Sequence, residues 1–208
     1  MIKNYFKIAI RNLWKNKAFS AINIFGLAIG IAACIIIMLF VTYEKGFDGI
    51  HRKNIYRLDE VQKFEGMVEP QNVALSMYPM GPTLTADFPE IKNFTRVRQT
   101  DLDLNYKEKR IFFPILFVDS TFLQLFDFEV LVGDRNKILE KPRSIVLTEE
   151  SAKKLFGNDD PIGKTVTKYV GDTVVFTVTG IMKDVAENSH MQFAGLASFT
   201  TYADHPDM

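Results

Sequence analysis

Residues 18–43 read AFSAINIFGLAIGIAACIIIMLFVTY, and no charged side chain interrupts them. Ser20 and Asn23 are the only strongly polar members, and both lie near the start. Thirteen of the residues from Phe19 to Val41 are Ile, Leu, Phe or Val. At about −0.3 to −0.6 kcal/mol each for membrane insertion, these sum to roughly −4 to −8 kcal/mol before the small and polar residues subtract. About 20 apolar residues cross a hydrocarbon core about 30 Å thick, so this run spans it with some tilt. A core helix of a soluble domain would carry a polar face over such a length, and none is present. A secretory signal has an apolar core of about 7–15 residues followed by a small-residue cleavage site. Ile31-Ala32-Ala33-Cys34 has the form of a lipoprotein cleavage box, but the apolar run continues past it through Val41. Cleavage there would leave a greasy new N-terminus. The run therefore reads as a transmembrane helix.

Charge on either side sets its direction. Lys3, Lys7, Arg11, Lys15 and Lys17 precede the run with no acid among them, whereas Glu44 and Asp48 follow it with only Lys45 between. By the positive-inside rule the N-terminus stays in the cytoplasm and the chain from Glu44 onward is exported. The formal net charge is zero, yet the first 43 residues carry five cations and no acid, leaving 20 basic and 25 acidic residues for the rest. That map excludes a nucleic-acid binder and fits a membrane protein. Within residues 1–17, Lys3, Lys7, Arg11 and Lys15 recur every four residues and share one helix face. Ile2, Phe6, Ala9, Ile10 and Leu13 fall on another face, as in a basic amphipathic helix lying in the membrane interface against lipid. Gly26-Leu27-Ala28-Ile29-Gly30 is a G-x-x-x-G step, where Gly26 and Gly30 let a second helix backbone approach closely.

After Tyr43 the pattern becomes that of a folded domain. Strands are expected over 53–64, 91–99, 102–106, 111–118, 144–147 and 173–181. Short helices are expected over 80–87 and 120–126, the latter with Asp119 as N-cap. Thr148 should cap a helix running to Phe156, with Glu149 and Glu150 at its positive end, Lys153 and Lys154 towards the other, and Gly157 as the stop. Strands and short helices without a strict βαβ rhythm give an α+β domain. Cys34 is the sole cysteine, so neither a disulfide framework nor a zinc finger is possible.

No catalytic constellation emerges. Gly157 and Gly163-Lys164-Thr165 imitate a phosphate-binding loop, but five residues separate the glycines where four are needed. Pro161 also removes an amide from the would-be cradle. The stretch reads as a turn between helix and strand. His51, His190 and His205 lie far apart, without metal-ligand spacing, and are read as surface or hydrogen-bonding residues. The sequence thus predicts no enzyme, no metal and no cofactor.

Several ordered blocks then resemble one family, the MacB/FtsX-like ABC transporter permeases. The first is Arg11-Asn12-Leu13, Lys17 and Ser20 to Gly30. The second is Tyr43-Glu44-Lys45-Gly46-Phe47-Asp48 with His51 and Ile55-Tyr56-Arg57. Next come Phe117-Val118-Asp119, Phe126-Asp127-Phe128, Gly133-Asp134, Ser144 to Thr148, Ala152 to Gly157 and Asp160 to Lys164. The last is Thr179-Gly180-Ile181, Lys183-Asp184-Val185 and Asn188-Ser189-His190; Ala186 stands where proline is expected.

The resemblance implies a single transmembrane α-helix at 18–43, after a cytoplasmic-surface helix at 1–17, and a periplasmic α+β core domain at 44–208 that is incomplete at its C-terminus. It implies an N-terminal portion of a permease subunit in a bacterial inner membrane. A cytoplasmic ABC ATPase would hydrolyse ATP, and its motion would pass through the membrane helices to the periplasmic domain for export or efflux, lipoprotein handling or envelope regulation. A second permease copy would complete a dimer. The remaining core domain, three further membrane helices and the cytoplasmic loop that meets the ATPase are expected beyond Met208. The alternative reading is a single-helix membrane-anchored sensor or accessory ectodomain.

Overall fold

A computed structural model describes residues 2–49, 51, 53–66, 69–169, 171 and 173–204, without the side chains of Ile2 and Lys3. The chain divides after Phe47 into two units, a helical one and a mixed α/β one. The first holds α1 (Ile2–Lys15) and α2 (Lys17–Lys45). Between them Asn16, at φ −112 and ψ 52, leaves the helical basin. At about 1.5 Å per residue, the 29 residues of α2 reach about 43 Å, beyond the ~30 Å hydrocarbon thickness. Thr42 Oγ1 donates to Met38 O at 2.8 Å, so this hydroxyl is satisfied inside the helix.

The second unit begins with β1 (Glu60–Gln62), β2 (Gln71–Val73) and α3 (Met80–Asp87), followed by β3 (Val97–Tyr106), β4 (Lys109–Val118), α4 (Phe122–Leu125) and β5 (Val130–Val132). Then come β6 (Ser144–Thr148), α5 (Glu149–Phe156), β7 (Thr165–Lys168), β8 (Val174–Met182), β9 (Gly195–Ser198) and α6 (Phe199–Asp204). β1 and β2 form their own antiparallel pair. The other strands run in the order β5-β8-β6-β9-β4-β3-β7, and β7 also pairs with β8, closing the sheet on itself. The β4–β9 and β6–β8 pairings are parallel, and the remainder are antiparallel.

Two apolar clusters occupy the two faces. Leu102, Leu104, Ile115, Phe117, Ile145, Leu147, Phe176 and Val178 form one, joined by Leu155 and Phe156 of α5. Leu116, Val118, Val146, Met182 and Leu196 form the other, covered by Phe122, Leu123, Phe128 and Phe193. Neighbouring β4, β6 and β9 residues contribute to opposite clusters, so these strands are buried on both faces. That is why β6 is buried throughout and lacks a clean alternation. β8 shows the alternation over its first half, with Val174, Phe176 and Val178 buried and Val175 exposed.

Several elements differ from the sequence expectation. Over 53–64 only Glu60–Gln62 is a strand. No described residue from 51 to 90 is buried, and Tyr56 is 88% exposed, so the β-formers there have no sheet to join. The expected strands 91–99 and 102–106 are one strand starting at Val97, paired in register from Val97↔Val118 to Tyr106↔Lys109. Just before it, side chains take the backbone groups: Asn93 Oδ1 accepts Phe94 N–H, Asp119 Oδ2 accepts Arg96 N–H, and Thr121 Oγ1 donates to Phe94 O. Such local bonds compete with a ladder. The helix expected over 120–126 shortens to Phe122–Leu125 with Thr121 at its N-cap. Asp119 does not cap it, because its carboxylate pairs with the Arg96 guanidinium at 2.6 and 3.0 Å, a stronger charged, two-pronged contact. The 80–87 helix and the α5 helix lie where the residues put them; Thr148 Oγ1 accepts Ser151 N–H at 3.3 Å and Gly157 has φ 65.

Candidate functional site

The residues singled out in the helical unit do not converge. Lys7, Arg11 and Lys15 are exposed on α1, Lys17 opens α2, and the Lys3 side chain lies outside the described residues. Lys17 Nζ sits 5.3 Å from the Trp14 ring centroid, a cation–π distance. Gly26 and Gly30 lie further along α2, and a Cβ built at either meets no atom within 4 Å.

The point where the chain enters the mixed unit is different, because blocks about 140 residues apart in sequence meet there. Asp48 takes φ 52, a left-handed conformation that Asp tolerates better than most residues. Its N–H donates to Asn188 O at 3.0 Å. Its Oδ1 accepts from Ser189 Oγ and from His190 N–H, both at 3.0 Å, and its Oδ2 lies 2.6 Å from His190 Nδ1. Burial pushes the Asp48 carboxyl up, but the hydrogen bonds from His190 and Ser189 outweigh it and hold the pKa below the ordinary carboxylate value.

Three residues on, the chain is pinned again. His51 N–H donates to Asp48 O at 3.0 Å, and His51 Nδ1 accepts Asp127 N–H at 3.1 Å. The imidazole packs edge-on against Phe126 and Phe128, with centroids 5.2 and 4.9 Å away. An accepting Nδ1 puts the neutral ring's proton on Nε2, which is buried without a hydrogen-bond partner among the described residues. Burial lowers the His51 pKa; Lys53 adds to this, and Asp48 and Asp127 offset it in part. Lys53 Nζ donates to Gln124 O at 2.7 Å and to Asp127 Oδ1 at 2.8 Å. The segment 48–53 is thereby fastened to two loops, 124–128 and 188–190. The hydrogen-bonding reading of His51 and His190 holds for both; His205 lies outside the described residues.

Other polar constellations are structural. Arg96, paired with Asp119, stacks between Tyr78 at 4.5 Å and Phe199 at 4.3 Å. The Gly157–Lys164 stretch is the turn its residues suggested. It is tied to β8 by Gly163 N–H to Val178 O and Val178 N–H to Lys164 O. Asp159 in this turn has its pKa lowered to about 2, first by the Lys107 hydrogen bond and then by Tyr106 and Lys164. A cleft of about 350 Å³ lies between β4, α5 and the 184–194 segment. Of its two acids, Asp184 accepts Glu150 N–H at 3.0 Å and Glu150 pairs with Lys154 at 2.7 Å. Among the described residues no group of His, Cys, Asp and Glu could hold a metal. The root residues Asp48, Ser189 and His190 were visible in the sequence as separate blocks. What was missing was the loop geometry that joins them; Asp127 stood in a block of its own, and Lys53 carried no site signal.

A helix long and apolar enough to cross a membrane, followed by a closed mixed sheet whose entry segment is pinned at its root, defines a membrane-anchored α/β domain. Residues 20–206 match the model of the MacB-like periplasmic core domain, and the chain belongs to that family. Among solved structures it is similar to a domain of a protein described as a permease from Porphyromonas gingivalis (TM-score 0.56, 21% identity, covering 64% of this chain and 56% of that one). It is more loosely similar to the periplasmic region of MacB from Actinobacillus actinomycetemcomitans (0.44, 16%, 56% and 52%). The extracellular domain of the noncanonic ABC-type transporter YknZ from Gram-positive bacteria is comparable (0.44, 19%, 55% and 58%). The chain spans just over half the length of these structures. No curated protein matches it.

Proposed function

We propose that this chain is the N-terminal portion of an ABC transporter permease subunit that carries ATPase-driven motion across the membrane. One observation supports this most directly: the family match begins inside the apolar helix and continues to residue 206, so anchor and domain form one unit of that family. In this reading residues 1–17 lie on the cytoplasmic surface, 18–43 cross the inner membrane, and 44–208 are periplasmic. The chain performs no chemistry. In this reading movement of α2 reaches the core domain along the backbone, which enters that domain at Asp48, bonded to the 188–190 loop. A cytoplasmic ABC ATPase and a second permease copy are the partners, with Gly26 and Gly30 on the face that meets a neighbouring helix.

Affinity purification of the full-length permease that carries this chain, tagged and taken from its native membrane, tests the partner. Recovery of an ABC ATPase is expected, and its reproducible absence favours the accessory-ectodomain reading. Orientation is tested in a Cys34→Ser background with Asn4→Cys or Glu187→Cys. Only the latter should react with a membrane-impermeant maleimide added to spheroplasts; the reverse pattern refutes the topology.

A further inference from the structure

Helix α1 presents two faces with opposite demands. Lys7, Arg11 and Lys15 line one, and Phe6, Ile10 and Leu13 the other, and all six stay exposed. A helix of 14 residues is marginal in water by itself, so a surface that satisfies both faces would stabilise it. That surface is within one residue's reach. Asn16 breaks the helical path, and α2, the membrane-crossing helix, begins at Lys17. Among the described residues no acid is ion-paired with Lys7, Arg11, Lys15 or Lys17, and the first 43 residues contain no acid to do so. The cationic face is available to an external anion.

We infer that α1 is a recognition element for anionic phospholipid headgroups. Its cations bind headgroup phosphates while Phe6, Ile10 and Leu13 enter the acyl boundary. This deepens, and rests on, the reading of α1 as a membrane-surface helix. The occupant is chosen by charge complementarity and by continuity with α2, which already fixes the bilayer beside it. Near an anionic surface each Lys or Arg contributes about fivefold in affinity, from about 1 kcal/mol per residue, and only within about a Debye length. Three such residues give on the order of 100-fold preference for anionic over zwitterionic bilayers.

Trp14 is the only tryptophan in the chain, so tryptophan emission reports α1 alone. The full chain is reconstituted into vesicles of phosphatidylcholine with or without phosphatidylglycerol, identical in both leaflets so that orientation does not matter. The expected result is blue-shifted Trp14 emission, shielded from acrylamide, in phosphatidylglycerol vesicles at low salt. Shielding should fall in pure phosphatidylcholine and at high salt. Lys7→Gln/Arg11→Gln/Lys15→Gln, with helicity checked by circular dichroism, should weaken the phosphatidylglycerol dependence by about 100-fold in the underlying equilibrium. Equal, salt-independent shielding in both lipids overturns the headgroup preference while leaving an interfacial helix. Exposed Trp14 in every vesicle overturns both.

Discussion

Replacing Asp48 by Asn changes the root of the core domain with little change of shape. Asn accepts the left-handed backbone that Asp48 occupies at φ 52, and its carbonyl can still accept from Ser189 Oγ and His190 N–H. What disappears is the charge. Three bonds converge on the Asp48 carboxylate, at 3.0, 3.0 and 2.6 Å. Hydrogen bonds to a charged group contribute about 1.5–3 kcal/mol net, against about 1 kcal/mol for neutral ones. The His190 side chain is 72% exposed and that of Asp48 35%, so solvent screening keeps the total loss near the bottom of the additive range, about 1–2 kcal/mol. At 1.4 kcal/mol per tenfold change, local opening of the 188–190 loop should become roughly 5- to 30-fold more frequent. Hydrogen exchange with mass spectrometry on the full chain in detergent reads this directly. Peptides covering 186–192 should exchange faster by that factor, while the fully buried β6 should keep its protection. Lys53→Ala, which removes the bonds to Gln124 and Asp127, should instead loosen 124–128. Unchanged exchange at 186–192 in Asp48→Asn, or an equal loss of protection in β6, would refute the idea that Asp48 fastens this loop locally.

Three further outcomes follow from the same structure. The folded domain lowers the His51 pKa from its ordinary 6.5, so below pH 6.5 the unfolded chain binds a proton that the folded one refuses. Stability should fall as pH drops from 6.5 towards the folded pKa, and urea titrations of His51→Phe should lack that component while being less stable at neutral pH. Gly195→Ala places a methyl 2.6 Å from Val146 O and 3.1 Å from Ile115 Cδ1 and Leu147 Cδ2. It should cost about 1–3 kcal/mol or more, read as a lower midpoint in thermal unfolding. Gly26→Ile/Gly30→Ile should leave the α2 circular dichroism unchanged, since nothing stands within 4 Å of either position. It should reduce energy transfer between differently labelled copies in nanodiscs; equal transfer would place the helix contact elsewhere.

The elements readable in the sequence were those whose evidence is local. The α2 span, the Thr148-to-Gly157 helix with its cap and stop, and the alternating start of β8 each carry their signal within a few neighbouring residues. What escaped depends on distant partners. β9 consists of Gly195, Leu196, Ala197 and Ser198, residues with little strand preference of their own, and it is a strand because β4 and β6 flank it. Residues 53–59 show the converse: Ile55 and Tyr56 favour strands, but no neighbour offers a ladder. At the root, Asp48, His51 and His190 could each be noticed, yet only the fold says which pairs with which. Nothing in a linear reading couples Asp127 N–H to a histidine 76 positions earlier.

The place of β9 also sets an order of events. It pairs with β4 on one side and β6 on the other, so the centre of the sheet is held by a strand made after both of its neighbours. Until residue 198 has left the ribosome, β4 and β6 each present an open edge with apolar side chains on both faces. At about 5–20 residues per second, that interval after β4 is complete lasts on the order of ten seconds. Unpaired apolar edges of this kind are templates for pairing between chains. The gap between β4 and β6 thus closes only then, and a holding chaperone has an opportunity, and aggregation a risk, in the seconds before the Gly195–Ser198 strand arrives.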